Sequence, residues 1–204
     1  MRCLRRYLII GVCRAGAVAA ILLLLGSGAF AQTQVYLLRG WFGVFSTGMD
    51  ALAEELKAKG VKAEAIGHLA WKATVSKIVA ERAAGKAGAL VLVGHSQGAN
   101  NVIEMAQALE QHKIPVDLLV TLAPFLQEPI PNNVMRALNY YQSPGWGAPL
   151  SGDKGFRGKI SNIDIGADVA TFHINIDKSA KVQAEVAREI VALSRRGAAP
   201  KPAQ

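Results

Sequence analysis

Short apolar runs alternate along this chain with longer segments whose apolar residues recur every three or four positions. Val35 to Arg39 (VYLLR) reads as a strand that runs into Gly40-Trp41-Phe42-Gly43. Thr47-Gly48-Met49-Asp50 is a helix start, a Thr followed three residues later by an acid. Met49, Leu52, Ala53 and Leu56 then keep helical spacing until Gly60 stops it. Val61 to Ile66 is a second strand, and Val75, Ile78 and Val79 mark a second helix ending near Gly85. Ala89 to Val93 (ALVLV) is an unbroken apolar run, as expected for a strand covered on both faces. Val102, Met105, Ala106 and Leu109 give the stripe of a third helix. Pro115 to Leu122, Ala137 to Gln142 and Lys159 to Ile165 supply three more strands, and Val182, Val186, Ile190 and Leu193 a closing amphipathic helix. Such alternation predicts a mostly parallel sheet of about six strands wrapped by helices.

Two stretches break the pattern. Residues 124–134 hold Pro124, Pro129 and Pro131, and residues 143–158 hold five glycines and two prolines. Both read as loops at strand ends, where an open α/β sheet places its ligands. No internal repeat or low-complexity block is present.

The first 31 residues read differently. Arg2, Arg5 and Arg6 precede an 11-residue apolar run, Ala15 to Leu25, and Ala29-Phe30-Ala31 has small residues where a signal peptidase reads. A membrane anchor is the rival reading, but Arg14 interrupts the segment and a spanning helix needs about 20 apolar residues. The expected organisation is a signal peptide at 1–31, one domain at 32–194 and a flexible basic tail at 195–204, with the product exported to the periplasm or secreted. Cys3 and Cys13 leave with the leader, so the mature domain has no disulfide or thiol chemistry.

Composition narrows the classes further. At 51% hydrophobic and 19% charged residues the chain has an ordinary globular balance. Removing the four leader arginines brings the formal net charge from +8 to +4. A mild excess of that size suits weak association with an anionic membrane surface. No Lys/Arg cluster with interleaved aromatics suggests a nucleic-acid groove.

Gly94-His95-Ser96-Gln97-Gly98 carries the sharpest chemical signal. A serine at a sharp strand-to-helix corner needs small residues two positions away on each side, because larger side chains would collide there. The turn lifts the hydroxyl above the sheet and leaves the first N–H groups of the helix free to face an anion. A Gly-rich turn without chemistry is the plainer alternative. The preceding strand and following helix favour catalysis. A serine nucleophile needs a base. Of the four histidines, His95 reads as packing, His68 follows a strand and His112 ends a helix. His173 lies between the last strand and the last helix.

In these features the chain resembles the α/β-hydrolase superfamily, and within it small lipase- and esterase-like members. The resemblance runs from about Gln34 to Leu193. It rests on residues 94–98, on the Arg39-Gly40-Trp41-Phe42-Gly43 loop and on the late His173. It implies a three-layer α/β sandwich, here a minimal core without a large cap domain. The family's base sits where His173 lies. Family lipases usually carry His-Gly in the first loop, whereas Arg39 stands here in place of the histidine. The resemblance gives the oxyanion-binding N–H groups to Trp41 and Gln97. It places an acid after the strand that follows the nucleophile helix, or after the next strand. The first place reads Thr121-Leu122-Ala123-Pro124, without a carboxylate, and the loop after the next strand holds only Asp153. Asp153 is therefore the expected acid, with Asp164, Asp168 and a Ser–His dyad as alternatives.

The expected function is exported hydrolysis of carboxylic esters by Ser96, His173 and Asp153, without metal or cofactor. A shallow uncapped site rimmed by Trp41, Phe42, Phe45 and Phe125 favours bulky, lipidic or polymeric esters, and the expected partner is a small-molecule or lipidic ester substrate. The competing readings are an inactive hydrolase-fold protein that binds acyl ligands, and a thioesterase.

Overall fold

A computed structural model describes residues 32–41 and 43–198. The expected leader, Phe42 and the end of the tail lie outside the described residues. Six strands form one sheet: β1 (Gln34–Arg39), β2 (Lys62–Gly67), β3 (Leu90–His95), β4 (Leu118–Leu122), β5 (Arg136–Tyr141) and β6 (Lys159–Asp164). Their order is β2-β1-β3-β4-β5-β6, and every neighbouring pair is parallel. The connections carry α1 (Gly48–Ala58), α2 (Trp71–Ala83) and α3 (Gln97–Gln111), and α4 (Ala180–Ala198) follows the last strand.

Side chains alternate across a strand, so each buried strand feeds two cores. Val35, Leu37, Val91, Val93, Leu118, Val120 and Leu122 face the layer of α1 and α4, where Leu52, Leu56, Val186 and Ile190 meet them. Tyr36, Leu38, Leu90, Leu92 and Leu119 face α2 and α3, against Ile78, Val102, Ile103, Met105 and Leu109. The result is the expected three-layer sandwich. Its order places β2 and β3 on opposite sides of β1. The chain therefore reverses its direction of travel across the sheet between β1 and β3. The crevice beyond the C-terminal ends of those two strands is where such sheets bind ligands.

The predicted elements all form, with shifted ends. β4 starts at Leu118 instead of Pro115, because proline has no N–H to donate and Val116 makes only an isolated bridge to Val134. β3 runs on through Gly94 and His95, both buried. Helix α4 continues to Ala198, past the expected start of the tail at residue 195. Arg195 and Arg196 sit in its last turn, where the helix dipole favours positive charge.

A polar ladder crosses the C-terminal half of the sheet. Thr121, Asn139 and Asn162 are register partners on β4, β5 and β6. Thr121 Oγ1 donates to Asn139 Oδ1 at 2.9 Å, and Asn139 Nδ2 donates to Asn162 Oδ1 at 2.9 Å and to the Ala148 carbonyl at 2.8 Å. Asn162 in turn pairs with both backbone groups of Leu150, at 2.8 and 3.0 Å. These bonds pin the far end of the loop that begins at Ser143. We predict that Asn139→Ala, which deletes three hydrogen bonds of a fully buried side chain, lowers stability by roughly 3 kcal/mol. A lower urea midpoint with unchanged slope is the expected observation; a midpoint equal to wild type would contradict it.

Candidate active site

Ser96 sits where β3 turns into α3, with φ +58° and ψ −123°. Serine avoids that region, and such strain persists only when its surroundings over-determine it. Those surroundings are backbone. A Cβ on Gly94 would lie 2.2 Å from the Gly98 carbonyl oxygen, and one on Gly98 would lie 2.4 Å from the Leu38 carbonyl oxygen. Gly40 is as tightly placed, with a Cβ there 2.9 Å from Ser96 Cβ. The Ser96 N–H donates to the Leu122 carbonyl at 2.9 Å, tying the corner to β4. Parallel order, reversal point and serine corner together make the fold of the α/β-hydrolase type.

The loop after β6 brings His173 to this corner. Ser96 Oγ and His173 Nε2 are 3.0 Å apart, a hydrogen bond across 77 residues of sequence. The loop braces itself internally: Asp168 accepts from Thr171 Oγ1 at 2.6 Å, and Asn175 Nδ2 donates to the Ala170 carbonyl at 3.1 Å. Gln142, the first residue past β5, donates from Nε2 to the Thr171 carbonyl at 2.9 Å. The imidazole lies between aromatic rings, stacked on Trp146 at 4.3 Å between centroids and 5.1 Å from Phe125. Burial in these surroundings disfavours the imidazolium. With His95 adding to the effect, the His173 pKa falls to about 4.

No expected carboxylate reaches the base. Asp153 is exposed, accepts from the Lys154 N–H at 2.7 Å, and is held away by backbone pairing with Ile130. Asp164 accepts from the Ser143 and Gly166 N–H groups, and Asp168 serves its own loop. His173 Nδ1 is buried without a hydrogen-bond partner among the described residues. In place of the Ser96–His173–Asp153 triad, the structure brings together only Ser96 and His173. At the end of β5, where an acid could stand, the side chain is the neutral Gln142.

The two expected oxyanion donors flank Ser96. Gln97 is the first residue of α3, and Trp41 follows Gly40 in the loop after β1. Neither N–H is used in a loop or cap hydrogen bond among the described residues. Arg39, the departure in that loop, pairs with Asp50 of α1 through two hydrogen bonds, one of 2.8 Å from Nε, and so anchors the loop to the helix. Beyond Trp41 opens an apolar cleft of about 750 Å³, lined by Arg39, Gly40, Trp41, His68 and Leu69. Among the described residues no group of three or more His, Cys, Asp or Glu is placed to hold a metal ion.

Several residues escaped the sequence reading. Asn100 of α3 is buried, accepts from the Phe125 N–H at 2.9 Å and donates to the Leu126 carbonyl at 3.0 Å, which fixes the loop carrying Phe125. Its position one turn after the serine corner was the available signal. Trp146 lay in a loop read only for its glycines and prolines. His95, read as packing, is indeed buried, but both of its ring nitrogens are hydrogen-bonded.

No family model and no curated protein matches the chain. Among solved structures, it is similar to a YdeN-like hydrolase from Pectobacterium atrosepticum, at 13% identity and a TM-score of 0.49, over 82% of this chain and 94% of that one. It is also similar to the pyrethroid hydrolase PytH, at 24% identity and a TM-score of 0.35, over 48% of this chain and 42% of that one. The match thus spans less than half the length of the pyrethroid hydrolase.

An imidazole can take up a proton only while neutral, so chemistry that uses His173 as a base is fully present above its pKa and is lost as pH falls through it. We predict that kcat/KM for an ester stays level down to about pH 5 and declines with a midpoint near 4. Trp146→Ala admits water to the ring and should move that midpoint upward, toward the ordinary histidine value. A wild-type midpoint above 6 in the pH–rate profile would refute the burial account.

Proposed function

We propose that this protein is a serine hydrolase that cleaves carboxylic esters through an acyl-enzyme, with Ser96 as nucleophile and His173 as base. The observation that carries the proposal is the 3.0 Å contact between a serine hydroxyl on a strained corner and a neutral imidazole. In the first step Ser96 Oγ bonds to the carbonyl carbon while its proton passes to His173 Nε2. The Trp41 and Gln97 N–H groups receive the charge that forms on the carbonyl oxygen, and each such donor is worth roughly 3–4 kcal/mol in acyl transfer. The bond to the leaving alcohol then breaks as Nε2 returns the proton to the departing oxygen. Water repeats the sequence on the acyl-enzyme, releasing the acid and restoring Ser96.

Without a carboxylate on Nδ1, the imidazolium formed midway depends on its neighbours. Trp146 is within cation–π range, an interaction worth about 0.5–2 kcal/mol. Turnover should therefore be slower than that of a complete triad. Exposed Trp41, Phe45, Trp146 and Phe172 favour apolar or lipidic esters. The signal-like pattern of residues 1–31 favours an exported site of action.

The unpartnered Nδ1 also favours a second reading, an acyl-ligand-binding protein without turnover. A fluorophosphonate probe separates the two. We predict that wild type is labelled and that Ser96→Ala is not. Hydrolysis of p-nitrophenyl esters should fall by about 10⁴-fold or more in Ser96→Ala and in His173→Ala. A folded wild-type protein that is neither labelled nor active on esters would leave the binding reading. Faster turnover of matched thioesters would favour a thioesterase.

A further inference from the structure

His95 lies beside the nucleophile, yet it points away from the reaction, and its contacts join two separate parts of the site. Its ring is buried, with 2% of its surface exposed. Nε2 lies 2.6 Å from the His173 backbone carbonyl, and Nδ1 lies 2.8 Å from Ser46 Oγ. Ser46 Oγ in turn accepts the Gly40 N–H at 2.9 Å. The loop that presents the Trp41 N–H and the loop that presents His173 thus meet on one imidazole.

The protons in this chain can run in only one direction. A carbonyl oxygen can only accept, so Nε2 carries the ring hydrogen. Nδ1 of the neutral ring is then an acceptor, and the Ser46 hydroxyl must donate to it. That leaves the Ser46 oxygen lone pairs to receive the Gly40 N–H. Every donor in the sequence Gly40–Ser46–His95–His173 has one acceptor, and no group is spare. Burial, the leading effect, holds the His95 pKa below the ordinary histidine value and keeps the ring in this neutral form. The charged or titratable groups facing it are Asp177, whose Oδ1 is 3.9 Å from Nδ1, the His173 ring at 5.5 Å, and Lys178. Asp177 Oδ2 is occupied by the Gly48 N–H at 2.8 Å.

Resting on the ester-hydrolase reading, we propose that His95 is a positioning residue that holds the oxyanion loop and the base loop in mutual register. Any buried imidazole must satisfy its ring nitrogens, but here the two partners, Ser46 and the His173 carbonyl, belong to loops far apart in sequence that each carry part of the site. Because reacting atoms must be placed to within fractions of an ångström, slack at either end costs rate before it costs binding.

The pair of variants His95→Asn and His95→Gln, with Ser46→Ala, tests this. Asparagine is too short to reach the His173 carbonyl but can still accept from Ser46; glutamine can donate to that carbonyl. We expect His95→Asn to lower kcat by 10- to 100-fold with KM within twofold, and His95→Gln to restore most of the loss. Ser46→Ala should lower kcat about tenfold, and the double variant His95→Asn/Ser46→Ala should be no worse than the weaker single one. NMR titration of the His173 ring reads the base loop without any turnover. Its midpoint should rise in His95→Asn, return toward wild type in His95→Gln, which lacks the ring as well but restores the bond to the carbonyl, and stay at the wild-type value in Ser46→Ala. A folded His95→Asn with wild-type kcat and an unmoved His173 titration overturns the proposal, as does a double variant whose losses multiply. If wild type itself hydrolyses no ester, the ester-hydrolase reading fails and the titration alone decides the link between the two loops.

Discussion

Three glycines and one strained serine set the geometry on which the site depends. The corner at Ser96 exists because backbone from β1, α3 and the loop after β1 closes on it from several sides. A Cβ at residue 40, 94 or 98 would fall well inside van der Waals contact with that backbone or with the serine itself. Tight closure converts an unfavourable φ into the most stable arrangement available and aims Oγ out of the sheet. It also leaves the first N–H of α3 beside the hydroxyl, so the proposed nucleophile and the proposed anion site arise from one feature.

The proposed base is built on a different plan from its serine. Among the described residues His173 has no ionic partner to orient it. Its loop is held from the main chain, with Gln142 on the Thr171 carbonyl and His95 on its own carbonyl, while Trp146 and Phe125 restrict the ring. Orientation supplied by packing is rigid, but it withholds the charge that a carboxylate would place behind a developing imidazolium. A low basicity follows from the same enclosure. The site thus trades proton affinity for an imidazole, the proposed base, that remains neutral in moderately acidic surroundings.

The fold and the strained corner at Ser96 were legible in sequence because both are local. Among the described residues apolar periodicity located all six strands and all four α-helices, and the Gly-x-Ser-x-Gly spacing located Ser96 within a strand–turn–helix context. His173 was found from its place in the element order. Asp153 was chosen by elimination among loop carboxylates, and elimination fails when the structure uses no carboxylate there. The bridge of Gly152 to Ile130, with the Asp153 N–H on the Ile130 carbonyl, lies between two irregular loops and leaves no periodic trace. His95, Asn100 and Gln142 were missed for a related reason. Each acts on a loop distant in sequence, so its partner could not be read from spacing. Arg195 and Arg196, read from composition as the start of a tail, suit a helix end equally well, and the last turn of α4 contains them.

The amide ladder through Asn139 and Asn162 bears on how such a site could diversify. It anchors Ala148 and Leu150 to the sheet and leaves the four residues Pro144 to Gly147 projecting between fixed ends. That segment carries Trp146, one wall of the chamber around the base. Exchanging its tip could recut the chamber's shape for a different alcohol or acyl group while the scaffold beneath stays undisturbed. In this sense the molecule separates a replaceable jaw from the frame that grips it.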